Sequence, residues 1–439
     1  MPAAGSSLMR LAEHAAAGVE IGRIPAPLRR HCFQVLADTI GVIMAGATRP
    51  EVSALVAGDS LLFEPLGRGT AQVLAPRLPG ADPATAAFIN GTAGTFLELD
   101  EGYRPTGHPA VHVLPAALAA AQSLHRSGVE LVEAFLAGYE VSARLFESYQ
   151  LTYPLHPHGH LGAIGAAVAV ARLRRAEAGE PALIAATLPL LSTWQSCYEG
   201  ATARNAYAGT AAAMGILANR LAAAGFTGSA DSFGVAFGEM VGRLVNADPL
   251  DEPIDVSRLR VARDYLKFHS ACALSHSALD AVLELGPMDP GDVVRIEVET
   301  VANNQKIARQ AADNDLSTRF SLPYAVAAAI VHGHTGPEAF VPDRRTADLA
   351  RRVEVRVAAD LEASWPLKAP ARVIVQTRQG TRTRQVDNPR GHFSNPADAN
   401  SLRMKFERLT WLKPPGPLYD RLLKIDSVAD CAQLFDGLA

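Results

Sequence analysis

Cysteine is scarce and scattered. Cys32, Cys197, Cys272 and Cys431 are the four in 439 residues, and no two have the close spacing of a zinc knuckle or an iron–sulfur ligand set. They read as buried, reduced thiols. Long apolar runs are missing too: Gly, Pro or charge interrupts each stretch before the roughly twenty residues that span a bilayer. The opening "MPAAGSSLMRLAEHAAAGVEIGR" lacks the apolar core and basic flank of a signal peptide. A soluble, cytoplasmic protein without membrane contact is expected. Charge of one sign is also lacking, since 41 Lys plus Arg against 45 Asp plus Glu leave −4, which argues against nucleic acid as a partner. No repeat of fixed period and no low-complexity run is present.

What is there is apolar: 48% hydrophobic against 20% charged residues, in a chain long enough for about two or three cores. Through residue 260 or so, apolar residues recur at three and four positions with Gly or Pro at the breaks, as in 27–47, 115–128, 130–149 and 209–228. That is the helical period, and the many alanines allow close helix packing. Near residue 290 the period becomes two, with β-branched residues, in 292–301, 351–360 and 371–387. Gln379-Gly380 marks a hairpin turn within the last of these. From "NPADANSLRMKFERLT" the helical period returns. The expected fold is mainly α with a smaller α/β domain: helical over 1–264, sheet-containing over 265–394, and 395–439 rejoining the helices, so that the small domain is an insertion.

Several stretches join Gly or Pro to ionisable side chains, as binding loops do. "NGTAGTFLELDEGYRPTGHPAVHV" crowds Glu98, Asp100 and Glu101 ahead of His108. Close carboxylates can leave one protonated as a general acid, although a solvated helix end has the same pattern. "HPHGHLGAIGAA" spaces His156, His158 and His160 at alternate positions. Because the run leads straight into a helix and no carboxylate or thiol with ligand spacing completes it, a structural metal is not expected. One or two histidines presented at a helix N-terminus are. Arg204, then Lys267, His269 and His276, then Arg319 and Tyr324 occupy three further such stretches. Each cation has a plain reading as a surface charge, and together they suit a pocket for a di- or tricarboxylate.

The order and spacing of "LADTIGVIMAGA", the Glu98–His108 stretch, "AGYEVSARL", "HPHGHLGAIGAAVAVARL", "KFHSACALSHSALDAVLEL", "RFSLPYAVAAAIVHG" and "NPADANSLRMKFERL" resemble the MmgE/PrpD family nearly end to end. The resemblance implies a helical domain with an inserted smaller domain, a homodimer, no metal and no organic cofactor. It implies a carbon–oxygen lyase, most simply a dehydratase of a hydroxylated di- or tricarboxylate of the 2-methylcitrate type, with decarboxylation or epimerisation of a related polycarboxylate as alternatives. A non-catalytic carboxylate binder is a further one. By position it implies catalytic roles for Glu98, His108, His156, Lys267 and Tyr324, and substrate binding by Arg204, His276 and Arg319. The chain departs from the family at Arg204, where Lys is usual, at His158 and His160, often threonines, at Gly102, at Tyr207 and at Ala273. Base and acid stay unassigned between His108 and His156.

Overall fold

The computed structural model describes residues 4–58, 66–104, 106–310 and 312–438. The chain is mainly helical, with one four-stranded sheet and, among the described residues, three two-stranded ladders. Local signals start the helices: Asp82 accepts from the Ala84 and Thr85 N–H groups at the head of Pro83–Thr95, and Ser127 with Glu130 forms a capping box on Gly128–Ser148. The helix expected from Pro115 begins earlier, at Pro109, and runs to Ser123 with Pro115 inside it.

Small residues set how closely these helices cross. Ala206–Ala223 packs on Pro83–Thr95 where Gly91 and Gly209 meet, and a Cβ on Gly91 would lie 2.8 Å from the Gly209 Cα. Thr95 Oγ1 then donates to the Asn205 carbonyl at 3.1 Å, which joins the end of one helix to the start of the other. The helix His160–Arg174 is wrapped by Pro109–Ser123, Gly128–Ser148 and Ala206–Ala223. One buried apolar cluster runs from Leu8 to Leu266 and takes in Leu402, Phe406, Leu418, Leu422 and Phe435, so both chain ends share it.

The sheet has four strands: β1 (Val293–Thr300), β2 (Val353–Val357), β3 (Ala371–Thr377) and β4 (Gly380–Val386), in the order β4-β3-β1-β2. β3 and β4 form the hairpin expected at Gln379-Gly380, with Gly380 opposite Thr377, while β1 and β2 are parallel. Its inner face supplies Ile296, Val298, Val373 and Val375 to a second apolar cluster under the helices His276–Glu284 and Leu322–His332. Trp194, Cys197 and Tyr198 join that cluster from the earlier, helical part of the chain. Among the described residues no single helix is long and apolar enough to cross a membrane.

Candidate active site

A two-residue ladder organises the site. Gly102–Tyr103 pairs antiparallel with Asp264–Tyr265, Gly102 opposite Tyr265. Continued by two residues, that register sets Asp100 against Lys267, and the Lys267 ammonium lies 3.1 Å from Asp100 and 3.6 Å from Glu98. Glu98 has φ +53° on the turn after Pro83–Thr95, a left-handed conformation that costs a non-glycine residue roughly 1–3 kcal/mol. It is met from behind by Arg204, whose guanidinium is 2.5 Å from its carboxylate. The helix crossing that ties Thr95 to Asn205 puts Arg204 there.

All four groups are buried. Burial alone would raise the Asp100 carboxyl, but Lys267, His108 and Arg204 outweigh it and hold it below the usual carboxylate range. Burial would likewise lower the Lys267 ammonium, yet Asp100 and Glu98 keep it raised. Two cations and two carboxylates therefore face one another at ion-pair distance.

The histidines gather beside this quartet. His108 Nδ1 lies 2.8 Å from both the Asp100 carboxylate and the Glu101 carbonyl. Both partners are acceptors, so Nδ1 carries the proton and the Nε2 lone pair is free of protein partners among the described residues. His156 is arranged in reverse: its Nδ1 accepts from the His158 backbone N–H at 3.3 Å, which puts its proton on Nε2. Burial, with Arg204 and His108 next, holds His156 well below the ordinary histidine range, so it stays neutral. The loop is fixed by a Leu155–Thr193 bridge and by the Ser192 hydroxyl, 2.7 and 2.6 Å from the carbonyls of His156 and His158. His158 lies between the other two rings: its centroid is 4.3 Å from that of His108 and 5.1 Å from that of His156, with interplanar angles of 19° and 16°. His112 supports it from below, accepting from the Gly159 N–H at 2.9 Å. Gly162 makes room, since a Cβ there would lie 2.4 Å from the His112 ring.

Glu98, His108, His156 and Lys267 line one cleft at the seam of the two apolar clusters, with Trp194, Phe320, Leu274 and Cys272 as its less polar wall. The other four expected residues are placed elsewhere. Arg204 stands behind Glu98 and acts on it rather than on the cleft. His276 spends both ring nitrogens on Tyr265 and on the Ala271 carbonyl. Arg319 bonds the Ser270 carbonyl at 2.8 Å and the Pro337 carbonyl at 3.4 Å, holding two loops together. The Tyr324 hydroxyl donates to the Val341 carbonyl and accepts from the Asp343 N–H, both at 3.1 Å. Tyr324→Phe is accordingly expected to leave kcat within about threefold while costing about 1–2 kcal/mol of stability, because it orphans a backbone donor. Turnover beside a denaturant titration checks this, and a loss of rate without a loss of stability would return Tyr324 to the chemistry.

The residues that sequence reasoning passed over are His112 and Ser192, while Asp100 and His158 were each named only as one of a crowd. Asp100, His108 and His158 bring ligand-type atoms within 4.8 Å of one another, the one such grouping found among the described residues. Metal ligation needs in-plane lone pairs that converge. Here the His108 and His158 rings lie nearly parallel, and Lys267 already gives Asp100 its cation. The cluster suits proton handling better than a metal.

The family model of the MmgE/PrpD N-terminal domain matches residues 10–244, and that of the C-terminal domain matches 269–413. The chain is similar to cis-aconitate decarboxylase of Mus musculus, 24% identical over 458 residues that cover 95% of this chain and 90% of the relative. It is likewise similar to cis-aconitate decarboxylase of Homo sapiens, 24% identical over 455 residues covering 95% and 91%. Matched over both of its halves, the chain belongs to the MmgE/PrpD family.

Proposed function

We propose that the protein is a cofactor-independent lyase that moves a proton at the carbon α to a carboxylate, most simply as a dehydratase of a hydroxylated di- or tricarboxylate of the 2-methylcitrate type. The observation that carries the reading is the Asp100–His108 pair, 2.8 Å apart, with the free Nε2 on a residue that lines the cleft. His108 takes the α-proton, and the ionised Asp100 stabilises the imidazolium that results. The electron pair left on the substrate spreads into its carboxylate as a dianion, which fixed donors stabilise far better than water does. Lys267 supplies one such donor and the neutral His156 Nε2–H a second. Expulsion of the β-hydroxyl then completes the alkene, the proton held by His108 leaving with it as water. Glu98, clamped by Arg204, fixes the Lys267 ammonium in place.

The names of the two relatives favour a second reading, decarboxylation. There the same pair works in the other direction: protonated His108 delivers its proton to the α-carbon while carbon dioxide departs along the wall of Trp194, Phe320 and Leu274. Incubation with 2-methylcitrate, citrate, cis-aconitate and iminodisuccinate in deuterated water, followed by NMR, tests both. Alkene from a hydroxylated substrate supports dehydration, and carbon dioxide from cis-aconitate supports the second reading. Exchange of an α-proton alone points to epimerisation, and no change of any kind in any of the four would sink the lyase proposal.

A further inference from the structure

The cations expected to bind substrate, Arg204 and Arg319, do not face the cleft, yet a polycarboxylate needs partners there. Besides Lys267, two cations line it: Arg104 and Lys306. Lys306 donates to Asn303 Oδ1 at 2.7 Å, and its ammonium stands 5.9 Å from the Trp194 ring. Arg104 is more unusual. Its guanidinium carbon is 5.7 Å from the Tyr265 ring and 5.9 Å from the Trp365 ring. Its Nη2 is buried without a hydrogen-bond partner, and no carboxylate is paired with it among the described residues. Aromatic faces hold a guanidinium by its plane and leave its N–H edge free, the edge that forks onto a carboxylate. A half-buried arginine whose Nη2 is sequestered without a counter-ion is destabilising by itself, so its place beside a cleft points to an anion that arrives from outside the protein.

We propose that Arg104 is the specificity-determining clamp for a second substrate carboxylate, remote from the reacting carbon, with Lys306 adding charge on the same wall. The inference rests on the polycarboxylate lyase reading and names the substrate class within it. Glu98 is already neutralised by Arg204 and Lys267, so Arg104 and Lys306 leave the cleft with a cation surplus suited to a substrate bearing two or three carboxylates. A monocarboxylate would leave Arg104 unpaired.

Propane-1,2,3-tricarboxylate and butyrate carry no leaving group, so calorimetric titration with each measures recognition apart from turnover. The unaltered protein is expected to bind the tricarboxylate at least about tenfold more tightly than the monocarboxylate butyrate, the gain of one charge-assisted fork. Arg104→Met should remove that preference and raise KM with little change in kcat. It should also raise the melting temperature of the ligand-free protein, because it deletes an unpaired buried charge. Arg104→Lys should recover part of the preference. An arginine with a merely structural role would lower the melting temperature when replaced and leave the preference standing; that result, or tricarboxylate binding by Arg104→Met as tight as by the unaltered protein, overturns the proposal. Failure of the unaltered protein to bind either acid would overturn it together with the polycarboxylate reading. Loss of the preference in Arg104→Met of a protein that turns over none of the four substrates would uphold the clamp while the lyase reading falls.

Discussion

Alanine in place of His108 is expected to lower kcat by about 10³-fold, the ordinary worth of a positioned acid–base group, with KM changed far less. The direct reading is deuterium wash-in at the substrate α-carbon, which isolates the proton step from whatever bond breaks next. Asp100→Asn should reproduce much of the loss with the imidazole still present. An amide can present its N–H₂ to Nδ1 and so favour the tautomer with the lone pair on the wrong nitrogen. The two substitutions differ in stability. His108→Ala removes an edge of the cleft, whereas Asp100→Asn takes a carboxylate from a buried Lys267 that has it at 3.1 Å, and breaking such a pair costs roughly 3–5 kcal/mol. Wash-in at the unaltered rate in His108→Ala would remove that histidine from the mechanism and leave the reading without its base.

The second large effect is acid lability. His156, His158 and His276 are held well below the ordinary histidine range, His160 at about 4 and His112 at about 3, in each case chiefly by burial. In the unfolded chain each takes up a proton near pH 6.5. The unfolded state therefore binds more protons around and below that pH, and the stability these groups contribute is complete only well above about 6.5 and lost as pH falls toward their folded values. Each contributes a slope approaching 1.4 kcal/mol per pH unit. Five together rival the whole stability of a domain, roughly 5–15 kcal/mol, within little more than one or two units. His31, raised by Asp264, and the carboxyls of Asp38 and Glu101, raised by burial, work in the opposite sense, but they are three groups against these five and His392, which burial lowers to about 4. Denaturant titrations at pH 7.5, 6.5 and 5.5 should show stability falling by about 2 kcal/mol over the first step, which ends where the unfolded histidines are half protonated, and by several kcal/mol more over the second. A flat profile across all three would show that these rings titrate as freely folded as unfolded.

Much of the fold was legible because periodicity is a local property. The switch from a period near 3.6 to a period of 2 found β1, β2 and the β3–β4 hairpin, and the return of the helical period after residue 395 matches the helix Ala399–Leu409 and the last contributions to the first apolar cluster. Pro115 misled the reading of its helix, because proline is a better start signal than an interior residue. The site was half legible. Glu98, His108, His156 and Lys267 stand on recognisable motifs and do meet. Asp100 gains its meaning from Lys267, 167 positions away, through a ladder of only two residue pairs, too short to leave a periodic trace. Arg204, Arg319, His276 and Tyr324 had the chemistry of ligands but are spent on neighbours, and charge spacing along a chain does not report which way a side chain is already paid for. Arg104 was overlooked for the converse reason, since nothing near it in sequence marks it as unpaired.

The pile of His156, His158 and His108 also sets how the catalyst must cycle. Three imidazoles face to face, 4.3 and 5.1 Å apart, with His156 and His158 buried and His108 at the cleft edge, tolerate one positive charge among them, because a second would meet the first at stacking distance. On the proposed chemistry the stack acts as a turnstile for protons: once His108 has been loaded, nothing else in the column accepts a charge until that one has left with product.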